Sequence, residues 1–192
     1  MNMLDFFCKS EGSWLTQRAV HHFDLVADES GESNLTITLL PSYDPKVKEI
    51  CQSQGIDYNL ATGGAAFSWQ ANLDTRDLGS TNAAVLVDVP DDDETRRTGK
   101  LLRNQGYVES IPVISRYSFA EDGVLTIDTD YDNNQGQERC WFITDDFRVR
   151  VSTVRMMNGI NLMTYCSERR CVCDDTLQQM IQQNIVRASS SN

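Results

Sequence analysis

Arg148, Arg150 and Ser152 stand at alternate positions of the stretch Phe147–Thr153, with Val149, Val151 and Thr153 completing the other set. A period of two is that of a β-strand, so the two guanidinium groups share one face and the valines the other. Two readings of this pattern stay open. The arginines form a solvated face, or they line the inside of a barrel, where a buried arginine without a carboxylate partner costs on the order of several kcal/mol. On the preceding stretch Glu138, Cys140 and Phe142 share one face, and Arg139, Trp141 and Ile143 the other. Antiparallel pairing across Asp145-Asp146 brings Glu138 beside the arginine row. Pairing of Glu138 with Arg148 or Arg150 leaves one cationic group spare. An apolar ligand with two carboxylates suits such a cavity, each charge-assisted bond contributing roughly 1.5–3 kcal/mol. Trp69, Tyr117 and Tyr131 are available as apolar walls, a role that ordinary core packing explains equally well.

Other chemistry is poorly represented. There is no Gly-x-Ser-x-Gly elbow, no phosphate-binding loop and no His-Glu-x-x-His. His21 and His22 are adjacent on a predicted strand and point to opposite faces, so an unbroken strand cannot offer both to one metal. Either is equally well read as a hydrogen-bonded structural histidine. Cys140 reads as a small buried hydrophobe. Cys166, Cys171 and Cys173 cluster near the carboxyl end without the paired spacing of a zinc site and are read as loosely placed thiols, with no metal expected.

The totals narrow the class. A chain of 192 residues suffices for one domain with a real core. A formal charge of −11 argues against nucleic acid as partner, because phosphate recognition needs a basic surface. The amino-terminal stretch lacks a basic region followed by a long apolar run, and no segment approaches the roughly 18 apolar residues of a membrane-spanning helix. A cytoplasmic protein with reduced cysteines and no membrane insertion is expected.

The elements that must position these residues are mostly strands. Residues 3–9 are predicted as a short amphipathic helix, followed by strands over Trp14–Val26 and Leu35–Leu39 around a turn at Asp28–Gly31. Asp44-Pro45 starts a second helix, with Asp as N-cap and Pro in its first turn, whose apolar face is Val47, Ile50 and Cys51. Gly63-Gly64 reads as a turn. Strands follow from Ala65 (Ala65, Phe67, Trp69, Ala71 and Leu73 sharing a face), over Ala83–Pro90 and over Thr98–Arg103. Five more run over Val113–Ala120, Val124–Tyr131, Gln137–Ile143, Phe147–Met156 and Ile160–Glu168. Asp122-Gly123, Asn133–Gly136, Thr144–Asp146 and Asn158-Gly159 lie between these five as hairpin turns. About ten strands joined by tight turns make an all-β, antiparallel up-and-down barrel. Residues 1–173 form this domain, and Asp174 caps a carboxyl-terminal helix bearing Leu177, Met180, Ile181 and Ile185, with a disordered tail after it.

Phe6-Phe7, Gly12-Ser13-Trp14, Thr16-Gln17-Arg18 and His21-His22 resemble the opening of the S-type phycobiliprotein (bilin) lyases, the CpcS/CpeS family. The likeness continues through Gly99–Arg103, Gly106-Tyr107, Pro112-Val113, Arg116-Tyr117, Glu138-Arg139-x-Trp141-Phe142, Arg148-x-Arg150-x-Ser152-Thr153 and Cys166-Ser167-Glu168. The resemblance implies a ten-stranded, lipocalin-like barrel of the calycin type that binds a linear tetrapyrrole. It also implies attachment of that bilin, as a thioether at ring A, to a cysteine of an apo-phycobiliprotein subunit. On that basis Arg148, Arg150, Arg18, Trp69, Ser152 and Trp141 are candidates for bilin binding, and Glu138 and His21 for catalysis. The bilin, phycoerythrobilin ahead of phycocyanobilin, is then a substrate, with no prosthetic group. Leu73-Asp74-Thr75 departs from the family pattern, which has a second tryptophan there. A bilin carrier, or the non-catalytic subunit of a heteromeric lyase, would need the same cavity. A structural barrel with a wet arginine row is the third reading. Homodimers and lyase heterodimers are both compatible with the sequence.

Overall fold

A computed structural model describes residues 1–23, 28–71, 82–104, 112–156 and 159–171. Its strands are β1 (Gly12–His22), β2 (Glu29–Pro41), β3 (Gly63–Ala71), β4 (Asn82–Pro90), β5 (Thr98–Arg103), β6 (Val113–Phe119), β7 (Leu125–Asp130), β8 (Asn134–Thr144), β9 (Phe147–Met156) and β10 (Gly159–Arg170). They close into one barrel in the order β1-β10-β9-β8-β7-β6-β5-β4-β3-β2, every neighbouring pair antiparallel. Closure leaves no sheet edge to cap. The expected ten-stranded up-and-down barrel is the observed one. Leu73–Thr75, Gly106-Tyr107, Asn158 and the expected carboxyl-terminal helix lie outside the described residues.

One end of the barrel is sealed by α1 (Met3–Ser10). Asn2 caps it, its side chain accepting from the Asp5 amide at 2.8 Å while the Asp5 carboxylate accepts from the Asn2 amide at 3.2 Å. Met3, Phe6 and Phe7 point from α1 into the barrel and join Trp14, Ile37, Leu101, Leu125 and Ile127 in the main core. The Arg170 guanidinium fixes the helix end, donating to the Lys9 carbonyl at 2.8 Å while pairing with Asp146 at 3.0 Å. A cation there also complements the negative end of the helix dipole.

A second core lies outside the barrel, beneath α2 (Pro45–Ser53). Asp44 accepts from the Lys46 amide at 2.8 Å, and Val47, Ile50 and Cys51 pack on Leu40, Val87, Val89 and Leu102 from the outer face of the sheet. Gly63 and Gly64, expected as a turn, instead begin β3, opposite Pro41 and Leu40 of β2. A Cβ on Gly64 would lie 2.5 Å from the Leu86 carbonyl oxygen of the neighbouring β4 and in ordinary contact, 3.5 Å, with Val47 Cγ2, so glycine is what lets β3 and β4 approach here.

Two other expected turns are shorter than the sequence implied. Glu29–Gly31 pair with β1, and Asn134–Gly136 pair with β7 and β9. Their polar residues lie on strand ends at the rim, where Gln135 and Gln137 donate to Asp130 and Asp128 across the ladder. Polarity here marks exposure rather than a break in the strand. Among the described residues no helix is long and apolar enough to cross a membrane.

Candidate functional site

Alternation along the strands decides what enters the barrel. On β9 the even-numbered Arg148 and Arg150 face inward; on β8 Glu138 and Cys140 do; on β1 Thr16 and Arg18 do. Together they line one cavity, with Met3, Phe6 and Phe7 of α1 as floor. Phe67, Trp69, Leu86 and Leu101 supply much of its apolar wall. The mix of apolar wall with a few convergent charges is that of a small-molecule site.

The charged side chains form one array. In register, Arg148 lies between Phe142 of β8 and Glu168 of β10, and Arg150 lies between Cys140 and Cys166. Arg148, 3% exposed, donates from Nε to Glu168, which is 0% exposed. Its Nη1 donates to the Ser10 hydroxyl at 2.8 Å, and its guanidinium lies 4.8 Å from the centre of the Trp14 ring. Arg150 reaches Glu168 at 3.2 Å and Glu138 at 3.5 Å, and its Nη2 donates to Cys166 Sγ at 3.6 Å. Burial pushes the Glu168 carboxyl up, but the adjacent Arg150 and Arg148 guanidinium groups outweigh it and hold the group below the ordinary carboxylate range.

These contacts decide the open question about Phe147–Thr153 in favour of the cavity and correct the charge count. Glu138 does reach Arg150, yet Arg148 and Arg150 leave no unbalanced charge between them, because Glu168 supplies the second carboxylate. Glu168 was missed as a site residue because a charged strand end reads as solvated. The available signal was arithmetic: two inward arginines call for two carboxylates, and Glu168 shares the face of Cys166. Ser10 gave no signal beyond its place at the end of α1.

Arg18, Trp69, Glu138, Arg148 and Arg150 are thus brought together. Ser152 continues the inward row opposite Glu138 in register but does not line the cavity. His21 and Trp141 do not enter it. The His21 side chain is 49% exposed on the outer face, with Nδ1 2.9 Å from Asp28 Oδ2 and its ring edge-on to Tyr165. The inward parity of β1 belongs to His22, whose Nε2 lies 3.2 Å from Glu29 Oε1. Trp141 is opposite Val149 on the outer face of β8 and β9. Of the proposed apolar walls, Trp69 takes that role. Tyr117 lies in the core, where burial and then Asp88 push its hydroxyl well above the ordinary range, and Tyr131 packs by Gly136 outside the lining.

The thiols are equally defined. Cys140 and Cys166 are buried in the wall, so Cys166 is not part of a loose carboxyl-terminal group. Burial pushes the Cys140 thiol up to about 12 and raises that of Cys166 as well, leaving both as neutral thiols rather than nucleophiles. Among the described residues no group of three or more His, Cys, Asp or Glu side chains is placed to hold a metal.

Residues 2–171 match the family model described as CpeS-like protein. The chain belongs to the CpeS-like family. A chromophore lyase CpcS/CpeS 4 of Trichodesmium erythraeum (strain IMS101) is 60% identical over 188 residues, covering 98% of this chain and 97% of the relative. A chromophore lyase CpcS/CpeS of Synechococcus sp. (strain WH8020) is 44% identical over 183 residues, covering 95% and 91%. Among solved structures, the S-type phycobiliprotein lyase CPES from Guillardia theta superposes with a TM-score of 0.76 at 28% identity, covering 91% of this CpeS-like chain and 95% of the other.

Proposed function

We propose that this CpeS-like protein binds a linear tetrapyrrole inside its barrel and joins it, as a thioether, to a cysteine of a phycobiliprotein subunit. The observation that carries this reading is a floored, apolar cavity with an inward array of two arginines and two glutamates on β8, β9 and β10. A bilin is a long apolar conjugated body with two propionates. Trp69 and Phe67 pack against the pyrrole rings, while Arg150 and Arg18 face one propionate. Arg148 is held by Glu168 and Ser10 and positions the array. Glu138 accepts from pyrrole N–H groups and handles the proton of the addition, and Ser152 stands opposite it in the ladder.

The bond-forming step is an addition, so it balances without an oxidant. The acceptor thiol gives up its proton, its sulfur bonds to the ethylidene group of ring A, and a proton is returned to the conjugated system. The nucleophile, on this reading, is the acceptor's cysteine, and the buried Cys140 and Cys166 keep their protons. On this reading the bilin is substrate, no prosthetic group takes part, and the reaction runs in the cytoplasm. His21 and Trp141, on the outer face, are left out of the assignment.

Mixing purified protein, free phycoerythrobilin or phycocyanobilin, and apo-phycobiliprotein tests the reading. Covalent adduct formed only in the presence of this protein is expected. A change in bilin absorbance without transfer would make it a carrier or a non-catalytic subunit. An unchanged bilin spectrum would remove the ligand altogether.

A further inference from the structure

Arg103 ends β5, four strand steps around the barrel from β9, and its side chain lines the same cavity. It is half-buried, and among the described residues it has no carboxylate partner, in contrast to Arg148 and Arg150. Its Nε is buried with no hydrogen-bond acceptor. Its register neighbours, Leu86 and Val113, are apolar and offer it nothing. The backbone is nonetheless held in place: the Arg103 carbonyl accepts from Gln54 Nε2 at 2.9 Å, and the next residue, Asn104, accepts through Oδ1 from the Val85 amide at 2.8 Å. A cation fixed at a cavity wall with an unmet N–H is a cost to the empty protein that an incoming anion would offset.

We infer that Arg103 is a specificity-determining residue that binds one propionate of the bilin, across the barrel from the propionate taken by Arg150 and Arg18. The inference rests on the bilin reading above. It divides the cavity arginines by task. Arg148 and Arg150 are balanced by Glu168 and Glu138 and keep their geometry with the cavity empty, whereas Arg103 is completed by the ligand. A ligand without a carboxylate at that wall leaves its guanidinium unmet and is discriminated against.

The test titrates phycocyanobilin and its dimethyl ester into wild type, Arg103→Gln and Arg103→Lys, following pigment absorbance, with thermal melts of the ligand-free proteins alongside. Loss of a charge-assisted carboxylate bond corresponds to about 10- to 100-fold in affinity. Arg103→Gln is expected to weaken binding of the free acid by that factor, to leave ester binding as in wild type, and to melt no lower than wild type. Arg103→Lys should recover part of the free-acid affinity. Free-acid affinity unchanged in Arg103→Gln overturns the inference while the bilin reading stands. Equal loss for acid and ester, with a lower melting temperature, overturns it in favour of a structural role. If wild type itself leaves the pigment spectrum unchanged, the bilin reading fails and takes this inference with it.

Discussion

Replacing Glu168 by Gln probes the array at its most buried member. The substitution keeps shape and removes one charge from a side chain with 0% exposure. Arg148 would retain the Ser10 hydroxyl and the Trp14 ring, and Arg150 would retain Glu138. Arg148 is 3% exposed, so water cannot take over from the lost carboxylate. Removing one partner of a buried pair costs about 3–5 kcal/mol. For a chain of this length each kcal/mol lowers the melting temperature by about 2–4 °C, giving a drop of about 6–20 °C. The pH dependence supplies a second signature. Glu168 is held below the ordinary range in the folded protein, so its contribution is present above the unfolded glutamate pKa of about 4.3. That contribution is lost as pH falls through the lowered folded value. The gap between wild type and E168Q should therefore be full at pH 7 and shrink on acidification, as read from urea midpoints. A variant within about 1 kcal/mol of wild type at pH 7, or a gap that is constant with pH, would refute the assignment of Glu168 as the charge balancing Arg148.

Three further outcomes are expected. Asp88 is 1% exposed and accepts from the Thr62 hydroxyl; burial, only partly offset by that bond and by Tyr117, raises its pKa. A raised folded pKa means stability that is full below the unfolded aspartate value of about 3.9 and lost as pH rises through the folded value, so D88N should gain on wild type as pH is raised from about 3.9, in urea midpoints. A D88N protein that loses ground over that range contradicts the buried-acid reading. Cys140→Ala and Cys166→Ala should leave chromophore transfer intact, as measured by covalent pigment on the acceptor; loss of transfer from a folded variant would point to a thioether on this chain. Gly64→Ala should cost about 1–3 kcal/mol by denaturant melt, because the new Cβ meets the Leu86 carbonyl of β4 2.5 Å away, and a neutral result would show that β3 and β4 can give way there.

The barrel was legible because its strands carry unmixed signals. Phe147–Met156 has the bounds expected, set by clean alternation between Asp145-Asp146 and Asn158-Gly159, and the Asp44-Pro45 start of α2 is equally local. Errors arose where a residue's meaning depends on a distant strand. Gly63-Gly64 looks like a turn until α2 and β4 are brought against it. Asn134–Gly136 looks like a loop until Asp130 and Asp128 appear across the ladder. Glu168 looks like a solvated strand end until the barrel turns its face inward, against Arg148 and Arg150 of β9. Arg103 shows no ligand signal in sequence, because its lack of a partner is a property of the assembled cavity. His21 is different: Trp14 and Val20 already give β1 an inward parity that includes His22 and excludes His21. The same rule, applied from Cys140, sends Trp141 outward.

The central claim is that pigment held in this barrel passes to a cysteine of another protein. It is met most directly by the mass of an apo-phycobiliprotein subunit after incubation with free bilin, with and without the CpeS-like chain. The expected result is an acceptor heavier by one bilin, formed with this protein, slowed with Arg150→Gln, and absent when the acceptor cysteine is replaced by serine. Pigment bonded to the CpeS-like chain itself, or an acceptor adduct that forms as fast and as uniformly without it, would contradict the claim.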